Sequence, residues 1–533
     1  MCMTRLSAPL AFGLAGCSLL YNPSNLPNPP DKAGAGGDGD GGVTDAEAID
    51  GPAPPVDADD SMLALSDITP STLDEGQGDL GSLPQVFVIR GHNIVNTNLQ
   101  VVLTRSDAGD LAELKLEPVT DAMAASSHDY LAFTLTSHVV AAIATDVPLD
   151  VRVTQDVSAQ FGGGTATQVL PAAITLHGLP ELLATSPGVN KTTKVISLPL
   201  PQAKYSQVDL VTGMPANTTW TFAAPGASPA AIAAVSSIAV GNLVADAAGT
   251  TPGPDGHAPG SNAGPGGGMA GQAAVGVGTG GGGGGAGFAV AGTDGAPHTG
   301  GAGHGGPPAG EDQILSLESN RASAGAAGGS GLAVIGGVLT PGGAGGAGGG
   351  VVELVAGGDL AAGTISANAS DGASGGLLGG AGGGGAGGTV IARTTHGALA
   401  LGAIRVKAGI GSSTTVGAGS VGRVRWDAPA GTSPSSPDRA AHRGPAFQAP
   451  PRVVATASQV YTLSGSAGDE IDVRVTDQSN TPHVGEHAIF NSQGIATITA
   501  ALSPGYNAVC VKLAGGSSTE PLANACVDVV ALP

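Results

Sequence analysis

The chain has 533 residues, a formal net charge of -22, and only 12% charged residues. This length is enough for three or four domains of about 100–200 residues each. Nucleic acid is not an expected partner, because phosphate binding needs clustered Lys and Arg, and base stacking needs more aromatic residues than the 3% present here. After the N-terminus, no stretch is apolar over the about 20 residues that a membrane-spanning helix requires.

The first residues, "MCMTRLSAPLAFGLAGC", follow the order of a bacterial export signal. A single base, Arg5, precedes a short apolar run and then small residues before a cut. The "LAGC" at Leu14–Cys17 resembles the lipobox of bacterial lipoproteins, with an ordinary secretory signal as the alternative. The resemblance implies that residues 1–16 are a signal peptide, that Cys17 is acylated, and that membrane lipid is a partner through it. In lipoproteins of bacteria with two membranes, a residue other than Asp after the cysteine, here Ser18, usually goes with the outer membrane.

Residues 17–61 are predicted to be a disordered acidic tether. They are rich in Asp, Pro and Gly and hold almost no bulky apolar residue, so they cannot bury enough surface to offset the entropy cost of ordering.

Residues 62–180 are predicted to form a β-sandwich. Short alternating runs such as Val86–Ile89 and Leu99–Leu103 are separated by turn residues. The pair "ITPST" and "VIRGHNI" resembles the IPT/TIG immunoglobulin-like module, in which an aromatic residue is usual where Ile94 stands. The resemblance implies a spacer or binding unit rather than a particular chemistry.

Residues 181–428 hold most of the 91 glycines and a recurring strand unit. The copies are Ile238–Ala245, Leu360–Ala367 and Leu399–Val406, each preceded by another strand. Such repeats are typical of a solenoid, and short strands joined by glycine corners indicate a parallel β-helix-like coil.

The polyglycine runs between these units are expected to leave the coils. Two alternatives stay open for them: disorder, since glycine loses the most entropy on ordering, or extended polyproline-II-like rods that pack closely. The whole region resembles glycine-rich surface proteins of myxobacteria and their relatives.

Parallel β-helices often carry polysaccharide lyases and hydrolases, whose sites need several converging carboxylates. The acids here are scattered singly, and Asp246, Asp359 and Asp371 fall at coil ends, where Asp is a common turn residue. The late bases Arg393, Arg405, Lys407, Arg423 and Arg425 are predicted to be solvated outer-face residues, with docking of an anionic glycan as the alternative.

The histidines do not follow the spacing of metal ligands. His257, His298 and His304 fall in predicted loops, and His483 and His487 flank a predicted turn without a third ligand. No metal or other cofactor is expected.

Residues 429–449 are predicted to be a Pro/Ser-rich linker, and residues 450–533 a small C-terminal β-sandwich. In an exported protein, the strand cysteines Cys510 and Cys526 are predicted to form a disulfide, with two free buried thiols as the alternative.

The sequence therefore predicts an all-β, non-enzymatic, lipid-anchored protein of the cell envelope at the outer membrane, with a structural, adhesive or binding role. An envelope glycan or another surface protein is a further candidate partner. The alternative function is a carbohydrate-binding or carbohydrate-active protein that acts on the solenoid.

Overall fold

The computed structural model describes residues 62–532, except 77–84, 96–97, 107–113, 119–129, 136–145, 158–162, 202–203, 224–227, 261–263, 265, 273–279, 298–300, 309–324, 336–337, 377–378, 412–415, 480–481 and 515–524. All the regular secondary structure in this part of the chain is β-strand, which confirms the all-β class. The predicted signal peptide and tether lie outside the described residues.

The N-terminal region is one eight-stranded sheet with the order β1-β3-β6-β5-β4-β7-β8-β2. Its strands are Ala64–Thr69 (β1), Thr72–Asp74 (β2), Gln85–His92 (β3), Gln100–Arg105 (β4), Leu114–Pro118 (β5), Tyr130–Leu135 (β6), Val147–Asp156 (β7) and Thr165–His177 (β8). Alternate residues point inward, as Leu149, Val151 and Val153 do on β7, and they form one apolar core with Phe87 and Phe133.

The glycine-rich region contains three parallel sheets and a separate hairpin. Its strands are Leu182–Leu183 (β9), Val189–Asn190 (β10), Val195–Ser197 (β11), Val208–Asp209 (β12), Thr219–Ala223 (β13), Ala230–Ala234 (β14), Ile238–Val240 (β15), Asn242–Val244 (β16), Leu332–Ile335 (β17), Val338–Pro341 (β18), Val351–Ala356 (β19), Leu360–Ala362 (β20), Ile365–Ser366 (β21), Thr389–Thr394 (β22), Ala398–Leu401 (β23), Ile404–Arg405 (β24), Arg423–Asp427 (β25), Ala430–Gly431 (β26) and His442–Arg443 (β27). The sheet orders are β14-β19-β22-β25-β27, β26-β23-β20-β15-β12-β9 and β10-β11-β13-β16-β21-β24. Only β10 and β11 pair antiparallel within them, as a hairpin at one edge.

The repeated strand units lie side by side in register. Ile238 pairs with Leu360 and Leu360 with Leu399, while Leu243 pairs with Ile365 and Ile365 with Ile404. All of these apolar side chains are buried in a single core. Each of the three repeats, β14–β16, β19–β21 and β22–β24, therefore adds one strand to each parallel sheet.

Acidic side chains at the strand ends connect successive turns. Asp246 accepts a hydrogen bond from the backbone N–H of Asn368 at 2.7 Å. In the same way, Asp359 accepts one from Ala398 at 2.8 Å, and Asp371 one from Ile410 at 2.7 Å. The predicted turn aspartates therefore also join one turn of chain to the next.

The polyglycine runs are ordered rods that leave the sheets between the third strand of one turn and the first strand of the next. We call the rod at 281–288 the central rod. Its backbone N–H groups donate to three neighbouring segments, and every third N–H group donates to the same segment. Gly281, Gly284 and Gly287 donate to 266–272, Gly282 and Gly285 to 290–296, and Gly283 and Ala286 to 380–388. Three residues per turn without internal hydrogen bonds is the geometry of polyproline II. The structure therefore favours extended polyproline-II-like rods over disorder for these runs.

The glycines are required because these backbones touch. A Cβ atom on Gly283 would lie 2.0 Å from the carbonyl oxygen of Gly329, and one on Gly284 would lie 2.0 Å from that of His304. Six described segments surround the central rod and supply such contacts: 266–272, 290–296, 301–307, 325–332, 380–388 and 417–420. We call this arrangement the glycine bundle.

The C-terminal region contains a three-stranded sheet, β28-β30-β33, and a five-stranded sheet, β29-β35-β34-β31-β32. Its strands are Ala446–Phe447 (β28), Val453–Val454 (β29), Ser458–Ser464 (β30), Glu470–Asp477 (β31), Pro482–Ile489 (β32), Ile495–Ala501 (β33), Gly505–Leu513 (β34) and Ala525–Ala531 (β35). The predicted linker at 429–449 carries β26, β27 and β28, and the first two of these extend the parallel sheets.

The N-terminal and C-terminal regions contact each other directly. Val86 and Val88 of β3 form a buried cluster with Tyr506 of β34 and Val530 of β35. The Arg90 guanidinium donates a hydrogen bond to the Gln478 side chain beside it. The first and last sheets of the molecule therefore lie side by side.

Candidate functional site

The densest group of buried charges lies on β25, whose sequence "RVRWD" alternates between two faces. Val424 and Trp426 point into the apolar core. Arg423, Arg425 and Asp427 point the other way, yet Arg423 is 1% exposed and Arg425 is 0% exposed. The prediction that these arginines are solvated is wrong, because other segments cover the outer face of this sheet.

Arg393 of β22, the next strand in the sheet, is also buried, so its predicted solvation is wrong for the same reason. By contrast, Arg405 and Lys407 are exposed, as predicted.

Asp427 is the centre of an ion-pair cluster. Arg425 donates to both carboxylate oxygens, at 2.9 Å from Nε and 2.8 Å from an Nη atom, and the Nε of Arg393 lies 3.0 Å from Oδ2. The backbone N–H of Gly444 donates to Oδ1 at 3.1 Å. Burial acts to raise the pKa of Asp427, but the charges of Arg425 and Arg393 and the Arg425 hydrogen bond outweigh it and lower that pKa. The carboxylate is therefore ionised and held by two strands at once.

Two further arginines stack on aromatic rings. The Arg423 guanidinium lies 4.2 Å from the centroid of the Phe288 ring, and Arg423 donates to the Phe288 carbonyl oxygen at 3.3 Å. Phe288 ends the central rod, so this contact joins the glycine bundle to the sheet. Arg443 of β27 lies 4.7 Å from the centroid of Trp426 and donates to the carbonyl oxygen of Ala428 at 3.1 Å. Such cation–π contacts are stronger where water is excluded.

A histidine ion pair joins the cluster to the C-terminal region. His442 of β27 lies 2.8 Å from the Asp469 carboxylate, and both side chains are 22% exposed. Next to it, the backbone N–H of Arg443 donates to the Ser466 hydroxyl at 3.0 Å. The cluster therefore spans three parts of the molecule: the bundle, the parallel sheet and the C-terminal sheets.

Chemically, this arrangement fastens strands together. A buried ion pair adds little net stability over an apolar replacement, but removal of one partner leaves an uncompensated buried charge and is strongly destabilising. Sequence reasoning missed Asp427 and Phe288. The order Arg-Val-Arg-Trp-Asp, with opposite charges at alternate positions of one strand, is the signal that could have revealed Asp427.

The predicted disulfide is present. Cys510 and Cys526 are directly opposed on the antiparallel strands β34 and β35, with their Cα atoms 4.1 Å apart. The predicted lipidation residue, Cys17, lies outside the described residues.

The histidines that the structure describes are not brought together as metal ligands. His483 and His487 belong to β32 rather than to a turn, and His487 lies 3.1 Å from Asp472 and 3.3 Å from Glu470. In the described ranges, no group of three or more His, Cys, Asp or Glu side chains is placed to hold a metal ion. His298 lies outside those ranges.

No helix within the described part of the chain has the length and apolar character needed to cross a membrane. A scan against protein-family models found no match, and searches of curated proteins and of solved structures also found none.

Proposed function

We propose that this chain is a non-enzymatic, lipid-anchored structural protein of the cell envelope, held at the outer membrane through acylated Cys17. The lipobox-like "LAGC" supports the anchor, and the composition of residues 17–61 supports a flexible tether. Lipid chains contribute about 0.8 kcal/mol per buried CH₂, so several chains together hold a hydrophilic body at a membrane.

The glycine bundle is the observation that carries the structural role. Its backbones are hydrogen-bonded to neighbours in three directions, and a Cβ atom on Gly283 or Gly284 would overlap the next rod. Such a body has few ways to deform, since side-chain repacking cannot absorb a displacement. A rigid spacer presented from a membrane is the function that this construction fits.

We also propose finer assignments for two regions. An IPT/TIG-like sandwich for residues 62–180 is supported by the antiparallel pairing and single core of β3 to β7. A parallel β-helix for the strands of 181–428 is supported by the three repeats, β14–β16, β19–β21 and β22–β24, each of which adds one strand to each of three sheets. In this assignment the bundle is an elaboration of the loops between coils.

Metabolic labelling of intact cells with a palmitate analogue tests the anchor. We expect wild-type protein to be labelled and Cys17→Ser to be unlabelled, because the thiol of Cys17 is the proposed acylation site. Cys2→Ser is the matched control, since it removes the other N-terminal cysteine, and it should keep the label. Equal labelling of wild type and Cys17→Ser would contradict the proposal.

A further inference from the structure

The apolar core of the parallel sheets ends in polar residues after the third repeat, β22–β24. Strand pairing gives two of the positions that face this core: Gly431 lies beside Leu399, and Arg443 lies beside Trp426. Leu399 and Trp426 belong to the apolar core, whereas the next residue in one sheet has no side chain and in the other carries a charge. Inward positions of parallel sheets are normally apolar, so this change marks the end of the core.

The third parallel sheet makes the same change at Ser436. The Ile365 N–H donates to the carbonyl oxygen of Ala403, and Ile365 pairs with Ile404. One strand later, the Ile404 N–H donates to the carbonyl oxygen of Ser435 at 2.8 Å, which places Ser436 beside Ile404 by the same rule. A hydroxyl therefore follows an isoleucine at this inward position. We call residues 423–443, which carry these polar positions, the last coil.

Three buried donors of the last coil have no acceptor. They are the indole Nε1–H of Trp426, the Nε–H of Arg443 and the hydroxyl of Ser436, and no atom of the described residues accepts a hydrogen bond from them. Trp426 is only 5% exposed, and the Arg443 guanidinium lies over its ring at 4.7 Å from the centroid. Indole and guanidinium groups can donate but cannot accept. Because a buried donor without an acceptor is costly, a group that accepts hydrogen bonds is expected here.

The charge of Arg443 indicates that this group is an anion. Burial lowers the pKa of the Arg443 guanidinium, and the opposing effect of the Asp427 charge is smaller. The last coil has two acids, and both accept hydrogen bonds elsewhere. Asp427 accepts from Arg425, and Asp438 accepts from the backbone N–H of Val406 at 2.9 Å. One negative charge beside Arg443 would offset the cost of its burial.

Gly431 leaves this polar interior accessible from solvent. It takes an inward position, yet it is exposed, as is Ala430 before it. At the same position of the third repeat, the Leu399 side chain is 3% exposed and closes the core. A small solute can therefore reach the last coil from the side of β26.

We propose that the last coil binds a small monovalent anion of the halide class, held by Trp426 Nε1, Arg443 Nε and Ser436 Oγ. Such an ion carries one charge and accepts hydrogen bonds from several directions, which matches three single donors on separate strands. A water molecule would bring two donors of its own to side chains that mainly donate. The backbone N–H of Arg443 also donates to the Ser466 hydroxyl, so the ion would help to join the parallel sheets to the C-terminal region. This inference does not depend on the proposed lipid anchor.

Urea unfolding of the full chain in sodium chloride and in sodium gluconate at equal ionic strength tests the site. Gluconate is the reference salt, because its anion is too large to enter between neighbouring strands. We expect the unfolding midpoint to rise with chloride concentration and then to level off, because an ion that binds only the folded chain stabilises it by mass action. Equal midpoints in the two salts at every concentration would contradict the proposal.

Two variants each remove one donor and keep most of the side chain: Trp426→Phe and Ser436→Ala. Each should weaken the apparent chloride affinity about tenfold, as expected for the loss of one hydrogen bond to a charged group. The matched controls are Trp220→Phe, whose indole N–H donates to the Leu210 carbonyl oxygen at 3.2 Å, and Ser435→Ala, which changes an exposed neighbour. Both controls should keep the affinity within about twofold. Equal weakening in variants and controls would overturn the inference.

Line broadening of the chloride NMR signal by the folded wild-type chain gives a second measurement, which needs no variant. We expect broadening that added bromide reverses, because bromide belongs to the same class and competes for the site. No broadening, or broadening that bromide leaves unchanged, would also overturn the inference and assign the three donors to bound water.

Discussion

At the scale of single residues, the glycine bundle depends on the absence of side chains, because its backbones are in direct contact. Glycine costs more backbone entropy to order than any other residue, so ordered rods require a compensating gain. That gain comes from backbone hydrogen bonds of 2.8–3.1 Å between the central rod and three neighbours. Because the neighbours of the central rod approach its residues to different distances, the tolerance for a methyl group should differ between adjacent positions.

Gly283→Ala should therefore destabilise the protein more than Gly282→Ala. The nearest atom to a Cβ on Gly283 is a carbonyl oxygen at 2.0 Å, whereas the nearest to a Cβ on Gly282 is 2.9 Å away. Overpacking of a close-packed interior costs typically about 1–3 kcal/mol, and we expect the upper end or more for Gly283→Ala and about 1 kcal/mol for Gly282→Ala. Urea unfolding of both variants measures the difference. Equal midpoints would show that the rods are not packed as described.

A histidine residue predicts the pH dependence of stability. Burial, together with the smaller effect of the Arg452 charge, lowers the pKa of His396 to about 3. The unfolded chain binds this proton near pH 6.5, so the unfolded state holds more protons between about pH 6.5 and pH 3. Stability contributed by this residue is complete above pH 6.5 and falls as the pH decreases through that window.

His396→Gln should remove this part of the acid sensitivity. Because the ring keeps some contact with solvent, we expect about 2 kcal/mol less loss of unfolding free energy between pH 7 and pH 4 than in wild type. The control is His304→Gln, which changes an exposed histidine. Urea titrations at several pH values give the comparison, and parallel pH curves for wild type and His396→Gln would refute the assignment.

At the scale of elements, most strands were predictable because their apolar residues alternate. The predicted run Val86–Ile89 falls within β3, Gln85–His92, and the predicted run Leu99–Leu103 overlaps β4, Gln100–Arg105. Residues at equivalent positions of the repeat alignment also pair in the sheets, as Leu360 and Leu399 do. Period-two patterns and internal repeats are local signals, so a single sequence contains them.

The rods and the ion cluster could be predicted less well, because both depend on distant partners. A glycine run has no apolar pattern, and Gly283 finds its acceptor, Ala381, almost a hundred residues later. The sequence pattern predicts Arg423 and Arg425 to be surface residues, because they alternate with apolar residues on one strand. They can be buried because Arg423 stacks on Phe288 and Arg425 pairs with Asp427. Tertiary contacts of this kind override the local pattern.

At the scale of the whole molecule, the parallel sheets, the glycine bundle and the terminal sheets are connected at several points. Lys204 forms a 2.6 Å ion pair with Asp74 of β2, and His442 pairs with Asp469 at the other end of the parallel sheets. The contact of β3 with β34 and β35 then joins the first region to the last. The sequence predicts separate domains and no contact between the first and the last. This contact depends on the positions of the two ends of the parallel sheets.

Order in the glycine bundle is the central claim, because the proposed rigid spacer depends on it. Hydrogen exchange of the intact chain, followed by mass spectrometry on peptides covering 281–288 and 380–388, tests it most directly. We predict that the glycine peptides are protected to a similar degree as the peptides of β19 and β22. The reason is that backbone N–H groups of the rods donate hydrogen bonds within the bundle, as those of the paired strands do within their sheet. Complete exchange of the glycine peptides within seconds, while β19 and β22 remain protected, would contradict the account.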